Sequence, residues 1–473
     1  MLDNQSRGRE VGFQSNAEAG KLVHGLLGWD KLAPESLAMY DHSAVSFRVA
    51  SKSEPEARMW ALEAFAGTIQ PWWHHIGAYH EDRRQYRTAE RLFQWHEENE
   101  EYLVYRRPVA NVGVVWSQEN VDFYGQDDPS LRVALPWVGI TEALIRRRIP
   151  YVPVHADHIE RDRDDLDLII LPNVGALSDS QCRAIEDFVS AGGSLIATGE
   201  SSRYDEWGDP RQDFGLADLF GAHCLDTHHG SFRLLKSDWD DWGQHTYLRL
   251  SPELRAGVYG PQTGTEPDIS GAGDRHPVLE GFDETDIIPF GGRVEVVQPA
   301  EKVNVPLTFV PQFPIFPPET SWMRNPASRL AAMVLRENAN GSRVAYVPAD
   351  IDRCFARGKL PDHGQLIQNI VRWALNAPVP LAVEGPGFID CQLYSQPGRL
   401  ILHLVNLTNT MGGPIYEIVP IGPVKVSVSL RVDVTASVVR SLVSKTKLAS
   451  KKEDGCITFT IERITDHEVL IIE

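Results

Sequence analysis

From residue 109 onward, short apolar segments alternate with helical segments, and this alternation constrains the fold more than any other feature. Four apolar runs have the length of a strand: Val112–Trp116, 151–154, 166–171 and Ser194–Thr198. Residues 131–148 and 179–191 lie between them and have the spacing of amphipathic helices. Strands joined through helices form a parallel sheet with right-handed crossovers. The central part of the chain is therefore predicted to be a doubly wound α/β domain.

The residues before this domain also alternate between strand and helix patterns. Residues 44–50 and 69–77 are strand-like runs, and helical patterns cover three further segments: 17–29, 53–67 and 89–105. Ser53 is followed three positions later by Glu56, the spacing of a capping box at a helix start. The order predicts β-α-β-α units.

In the rest of the chain, the predicted secondary-structure pattern changes twice. Residues 203–330 are rich in Gly, Pro, Asp and Trp and have weak periodicity, which predicts irregular structure with an inserted β region. A strand at 343–348 and a helix at 363–376 then return to the α/β pattern. After residue 380 the chain consists of short alternating strands with turn residues between them, which predicts a small β-sandwich.

Charge and length limit the classes of function. The chain has 473 residues, enough for about three domains. Its net charge of −19 repels nucleic acid and anionic membranes, so neither is an expected partner. No signal-peptide core and no run of about 18 apolar residues occurs, and five widely spaced cysteines lack a CxxC pair. These features predict a cytoplasmic protein with reduced thiols.

Three stretches carry a resemblance to a known family. They are residues 16–21 (Asn-Ala-Glu-Ala-Gly-Lys) with 28–31 (Gly-Trp-Asp-Lys), residues 70–77 (Gln-Pro-Trp-Trp-His-His-Ile-Gly), and residues 112–118 (Val-Gly-Val-Val-Trp-Ser-Gln). With these stretches, the chain resembles glycoside-hydrolase-like proteins that carry a β-galactosidase trimerisation domain. The resemblance implies an α/β fold in three parts: a (β/α)₈ barrel, a flavodoxin-like domain of the class I glutamine amidotransferase-like type, and a β-sandwich.

The resemblance also implies domain boundaries and an assembly. Residues 1–107 would be the C-terminal part of the barrel, 108–382 the trimerisation domain and 383–473 the sandwich. A (β/α)₈ barrel needs about 250 residues, so the resemblance is to an N-terminally truncated member. We therefore expect the C-terminal portion of a β-galactosidase-like enzyme of carbohydrate metabolism, a homotrimer, inactive without the rest of its barrel. The alternative is a non-catalytic assembly or sugar-binding subunit.

No catalytic pair can be assigned from the sequence. Retaining glycosidases use two carboxylates about 5–5.5 Å apart. The first predicted strand is followed by Ser51 and Lys52, and Glu54 and Glu56 are better explained as residues of a helix start. The catalytic residues therefore stay unknown, and no cofactor is expected.

The strongest local signal for substrate binding is the Trp-Trp-His-His run. Indole rings stack on sugars and neutral imidazoles bind their hydroxyls. Glu81 and Asp82 follow the same strand and could reach the barrel mouth. Against this, the indoles could pack on flanking helices and the acidic loop could be a solvated one held by ion pairs. The predicted substrate-binding residues are Trp72, Trp73, His74, His75, Glu81 and Asp82.

The central domain lacks the nucleophile of a glutaminase. The turn after the strand Ser194–Thr198 has no cysteine, and Cys182 falls in the preceding helix. A hydrolase or transferase site using Ser201 or Ser202 is a third possibility, although no GxSxG frame surrounds them. One further segment has residues of metal-ligand type, but a polar loop is the preferred interpretation and no metal is expected: His223, Cys224, Asp226, His228 and His229.

Overall fold

The computed structural model divides the chain into two compact units. The first unit comprises Met1–Asn111, Ile145–Pro153 and Val379–Glu473, and the second comprises Val112–Leu144 and Val154–Pro378. The structure describes these residues: 12–38, 40–42, 46–74, 81–126, 128–230, 245–251, 254, 275–311, 313, 317–320, 329–410, 414–430, 434 and 438–473.

In the described residues, α-helices and strands are interspersed as far as residue 220, strands follow between residues 222 and 347, and after two further α-helices the remaining elements are strands. The α-helices of the described residues are α1 (Gln14–Leu27), α2 (Glu54–Ala66), α3 (Arg84–Leu103), α4 (Leu135–Arg146), α5 (Ile159–Asp162), α6 (Asp179–Ser190), α7 (Ala217–Phe220), α8 (Ile351–Gly358) and α9 (Pro361–Leu375). The strands are β1 (Ala33–Ala38), β2 (Tyr40–His42), β3 (Ser46–Ser51), β4 (Ile69–His74), β5 (Arg107–Pro108), β6 (Val112–Trp116), β7 (Val152–His155), β8 (Leu168–Leu171), β9 (Ser194–Thr198), β10 (Ala222–Gly230), β11 (Tyr247–Leu250), β12 (Ile287–Pro289), β13 (Arg293–Pro299), β14 (Leu307–Val310), β15 (Val334–Glu337), β16 (Arg343–Val347), β17 (Leu381–Glu384), β18 (Ile389–Gln396), β19 (Arg399–Asn406), β20 (Val424–Ser429), β21 (Val439–Ser441), β22 (Lys447–Leu448), β23 (Ser450–Glu453), β24 (Cys456–Ile461) and β25 (His467–Ile472).

In the first unit, β4 has a different partner from the one that the strand pattern suggests. Strand β4 runs parallel to β1, with Ala33 opposite Ile69. The predicted strand at 44–50 exists as β3, but it pairs antiparallel with β2. Apolar alternation identifies a strand and not its neighbour, so this pairing depends on tertiary contacts.

Helix α2 begins and ends where the sequence predicts, but its predicted capping box is wrong. The Ser53 side chain makes no capping hydrogen bond. Glu56 is fully buried, and its Oε1 accepts a hydrogen bond of 3.2 Å from the backbone N–H of Ile415. The Glu56 carboxylate therefore contacts the C-terminal segment of the chain.

Two antiparallel sheets of the first unit share one core. The four-stranded sheet has the order β17-β20-β24-β23, and the six-stranded sheet has the order β22-β21-β25-β19-β18-β5. Side chains of both sheets form a single buried cluster that includes Leu402, Val426 and Phe459. Strand β5 precedes the second unit in sequence and pairs with β18, so the first and last segments of the chain share a sheet.

The second unit is built on a six-stranded sheet of order β15-β16-β9-β8-β6-β7. Strands β6, β8, β9 and β16 run parallel, and β15 is an antiparallel edge strand. Numbered along the chain from β6, the strands other than β15 have the order 2-1-3-4-5, so the winding reverses between β6 and β8. Doubly wound sheets bind ligands outside the carboxyl ends of the strands at such a reversal.

Helices and smaller sheets complete the second unit. The predicted helix at 131–148 begins as a π-helical turn, Ser130–Ala134, and continues as α4. The predicted inserted β region contains the antiparallel pair β10–β13 and the three-stranded sheet β12-β11-β14. Among the helices of the described segments, none has both the length and the apolar character needed to cross a bilayer.

Candidate functional site

Trp72 and Trp73 are neighbours on β4 but have different surroundings. The side chain of Trp72 is 44% exposed. Trp73 is half-buried, packs against the buried cluster that contains Ile69, and meets the Tyr86 ring edge-on with centroids 5.1 Å apart. Alternation along the strand places the two indoles on opposite faces. Trp72 is therefore the more accessible of the two for a ligand.

The other predicted substrate-binding residues follow β4. The backbone of His74 ends the strand, while its side chain and the whole of His75 lie outside the described residues. Glu81 is exposed at the start of the next described segment, and Asp82 beside it is half-buried. The structure thus locates Trp72, Trp73, Glu81 and Asp82 but does not test contacts of the two imidazoles.

Asp82 connects the end of β3 to the start of α3. Its Oδ2 accepts a hydrogen bond of 2.8 Å from the backbone N–H of Ser51, and its Oδ1 accepts one of 2.9 Å from Nε of Arg84. The hydrogen bond from Arg84 is the largest cause that holds the pKa of Asp82 well below its ordinary value. The carboxylate is therefore ionised and already engaged by donors of the protein, as in a loop held by an ion pair.

The acidic and polar residues after β3 do not supply a catalytic pair. Ser51 and Lys52 are buried, and Ser51 Oγ donates to the carbonyl oxygen of Lys52 over 3.0 Å. Glu54 forms an exposed ion pair of 3.3 Å with Arg91. Together with the burial of Glu56, these contacts agree with structural roles for the start of α2.

A buried group of ionisable side chains, Glu63, Asp390 and Lys21, was not predicted from the sequence. Glu63 and Asp390 are both buried, and Lys21 beside them is 1% exposed. Nζ of Lys21 donates to Oε1 of Gln392 over 3.3 Å and lies 3.5 Å from the ring centroid of Tyr151. Nε2 of Gln392 in turn donates to Oδ1 of Asp390 over 2.7 Å.

Burial controls the ionisation of this group. Desolvation raises the pKa of Glu63 well above its ordinary value, and the neighbouring Asp390 raises it further. Desolvation also lowers the pKa of Lys21, against the attraction of Asp390. A substrate cannot reach carboxyl groups that lack exposed surface, so this pair does not act on a sugar. The available signal was a lone glutamate within the apolar run Met59–Ala66 of α2, since acidic residues are seldom buried without a partner.

The turn after β9 does not hold a hydroxyl nucleophile. Ser201 and Ser202 are both 0% exposed. Ser201 Oγ donates to the carbonyl oxygen of Thr198 over 2.7 Å, and Ser202 Oγ accepts from the N–H of Leu216 over 3.2 Å. Cys182 is buried, and desolvation raises the pKa of its thiol to about 12. These contacts favour structural roles for all three residues.

The segment with metal-ligand residue types begins with a paired histidine. His223 Nδ1 lies 2.8 Å from Oδ2 of Asp213, whose Oδ1 accepts from the N–H of Cys224 over 2.8 Å. The side chains of Asp226, His228 and His229 lie outside the described residues. Within the described part of the chain, no three His, Cys, Asp or Glu side chains are grouped as metal ligands.

Comparison with known proteins identifies similar folds. A scan against protein-family models and a search of curated proteins both find no match. Among solved structures, α-L-fucosidase isoenzyme 2 from Paenibacillus thiaminolyticus aligns with 99% of this chain at 16% identity and a TM-score of 0.70. The β-galactosidase from Bacillus circulans sp. alkalophilus aligns with 100% of the chain at 15% identity and a TM-score of 0.65. A β-galactosidase from Rahnella sp. R3 aligns with 99% at 13% identity and a TM-score of 0.61.

These similarities concern the fold. The chain spans 64%, 59% and 58% of the length of the three proteins, respectively. The mixed α/β architecture, with parallel and antiparallel sheets, is thus that of glycoside hydrolases of these kinds over almost the whole chain. The predicted resemblance to glycoside hydrolases is confirmed at the level of the fold.

Proposed function

We propose that this chain is the C-terminal portion of a β-galactosidase-like glycoside hydrolase. The observation that carries the proposal is the fold similarity, which extends over 99–100% of this chain to solved structures named as a fucosidase and β-galactosidases. Each of those proteins is longer, and the remainder of a barrel would supply the catalytic carboxylates, which are not assigned in this portion. In the complete enzyme the reaction would be a double displacement through two such carboxylates.

The proposal includes an organisation in three parts and an assembly. Residues 1–107 would complete a (β/α)₈ barrel, 108–382 would form an amidotransferase-like trimerisation domain, and 383–473 would form the sandwich. The 2-1-3-4-5 strand order supports a flavodoxin-like core for the second part. A cytoplasmic homotrimer follows from the family resemblance and the cysteine pattern.

The second candidate is a non-catalytic assembly or sugar-binding subunit. It is favoured by the state of the carboxylates after β3 and β4, since Asp82 and Glu54 are paired with arginines and Glu56 is buried. In this case Trp72, together with Trp73, His74, His75, Glu81 and Asp82, would bind a sugar without hydrolysing it.

Hydrolysis of aryl glycosides separates the two candidates. We expect the 473-residue chain to leave p-nitrophenyl β-D-galactoside and α-L-fucoside intact, and a longer form with a complete barrel to hydrolyse at least one of them. Hydrolysis by the shorter chain would contradict its proposed inactivity. A lack of turnover by the longer form, with sugar binding retained by both, would favour the subunit.

A further inference from the structure

A glutamate stands where the turn after β9 meets the carboxyl ends of β6 and β8. Gly199 has a φ of +54°, and a Cβ there would overlap Oδ1 of Asn173, so the turn requires glycine. The same Asn173 Oδ1 accepts the backbone N–H of Glu200 over 2.8 Å. Asn173 follows β8, and Tyr124 lies beyond β6. Glu200 is thereby held at the reversal point of the doubly wound sheet, where such folds bind ligands.

Two tyrosines orient the carboxylate of Glu200. The hydroxyl of Tyr124 donates to its Oε2 over 2.5 Å, and the hydroxyl of Tyr204 donates to its Oε1 over 2.9 Å. Asn173 Nδ2 donates to the Tyr124 oxygen over 2.9 Å and directs that hydroxyl. A carboxylate offers about four acceptor positions, so about two stay open for donors from a ligand.

Glu200 is ionised in this setting. Burial works to raise its pKa, but the hydrogen bond from Tyr124 and the charge of Arg293 outweigh burial and lower it. The residue as a whole is half-buried, and both oxygens of its carboxylate already accept one hydrogen bond each.

Strand β13 places the hydrogen-bond donor Arg293 near Glu200. Arg293 and Glu295 are two positions apart and so project from one face of the strand. Among the described residues, Nε of Arg293 is buried without a hydrogen-bond acceptor, and Nη2 of Arg293 lies 3.8 Å from Oε1 of Glu295. A buried donor without an acceptor is unfavourable, and an oxygen of a bound ligand would satisfy it. Burial first, and then the charge of Glu200, raises the pKa of Glu295 to about 8, so its carboxyl group can donate at neutral pH.

Aromatic side chains extend from Tyr124 and Tyr204, the two donors to Glu200, through Phe123 to the protein surface. Tyr204 is half-buried and its ring centroid lies 5.1 Å from that of Tyr124. Trp207, three residues further on, is 64% exposed, and its ring meets Phe123 with centroids 5.3 Å apart. Exposed indole beside oriented acceptors and donors is the combination that binds the apolar face and the hydroxyls of a sugar ring.

We propose that Glu200, Tyr204, Trp207, Arg293 and Glu295 form a binding site for a neutral, hydroxyl-rich ring such as a monosaccharide. Sugar hydroxyls would donate to the open positions of Glu200 and accept from Arg293, while the ring rests on Trp207. Glu200 and Arg293 carry opposite charges, so a ligand without net charge fits the pair best. The site lies within the second unit and uses none of the residues around Trp72. It rests on the proposed function only for the choice of sugars to test.

Sugar binding by variants of the full chain tests the site, with Trp72→Ala as the matched control for Trp207→Ala. D-galactose and L-fucose are titrated into wild type, Trp207→Ala, Arg293→Met and Trp72→Ala, with binding followed by calorimetry and folding by circular dichroism. We expect Trp207→Ala and Arg293→Met each to weaken binding by about tenfold or more, the loss of one good contact. Trp72→Ala should retain the Trp207-dependent binding.

Three outcomes would overturn the site. These are no binding of either sugar by the folded wild type, unchanged binding in both Trp207→Ala and Arg293→Met, and loss of all binding in Trp72→Ala alone. The last result would place the sugar on the first unit and would leave the proposed function standing. Conversely, Trp207-dependent binding together with a complete lack of glycosidase turnover in the longer form would remove the proposed enzyme and keep this site.

Discussion

Surroundings, more than residue type, determine what the acidic side chains of this protein do. Asp82 accepts hydrogen bonds from Arg84 and Ser51, and its pKa is lowered. Glu63 is enclosed by apolar residues of α2 next to another carboxyl group, and its pKa is raised. The surroundings therefore favour the charged form of Asp82 and the protonated form of Glu63.

Replacing Glu63 with glutamine tests its neutral state. A folded pKa above the ordinary 4.5 means that the folded state keeps a proton which the unfolded state releases, so wild-type stability falls as the pH rises above 4.5. Glutamine has no such proton. We expect the unfolding free energy of Glu63→Gln to rise relative to that of wild type between pH 5 and pH 8. Urea unfolding at both values measures it.

The exposed Glu81→Gln is the matched control for this substitution. Its stability relative to wild type should change little between the two pH values. A Glu63→Gln variant that loses stability relative to wild type as the pH rises would show that Glu63 is ionised in the folded protein.

At the scale of helices and strands, local sequence patterns predicted where elements lie but not which strands pair. Strand β9 occupies the predicted residues, because an apolar run closed by a glycine turn is a local signal. The pairing of β4 with β1 was not predictable, since Pro34 and Glu35 interrupt any apolar alternation in β1.

The same distinction applies to the candidate sites. Trp72 could be proposed from a contiguous motif on one strand. The Glu200 site joins residues from the turn after β9 and from β13, which are more than 90 positions apart in sequence. Only the sheet topology brings those residues together, and no local pattern in the sequence indicates it.

The crossing of α1 and the end of α2 depends on a glycine. A Cβ at position 20 would overlap the carbonyl oxygen of Gly67 and lie 2.7 Å from Cγ1 of Ile69. Alanine at a helix interior gains about 1 kcal/mol from propensity, but forcing the two elements apart costs about 1–3 kcal/mol or more. We expect Gly20→Ala to lower the thermal midpoint.

Gly358→Ala provides the comparison, since the added Cβ at the end of α8 would meet only Leu360, at an ordinary 3.8 Å. Differential scanning calorimetry of both variants measures the difference. Equal midpoints for Gly20→Ala and wild type would mean that α1 shifts without cost.

Across the whole molecule, distant segments of the chain complete the first unit. Arg107 of β5 lies opposite Ser395 of β18. Helix α2 contributes to a buried cluster that also contains Val405 and Leu407. Side chains of the N-terminal segment therefore find their core in residues that follow the second unit by sequence, and a unit made in this way should fold only when both segments are present.

Removal of residues 379–473 tests this dependence. The truncated chain would expose the apolar face of α2 and leave Lys21 without the acceptor that Gln392 provides, so we expect residues 12–111 to lose protection against proteases. Limited proteolysis with mass spectrometry should show early cleavage within α1 to α3 in the truncated chain and slow cleavage there in the full chain. Equal protection in both chains would show that the N-terminal segment folds without the sandwich, because its core would then have to close on its own residues.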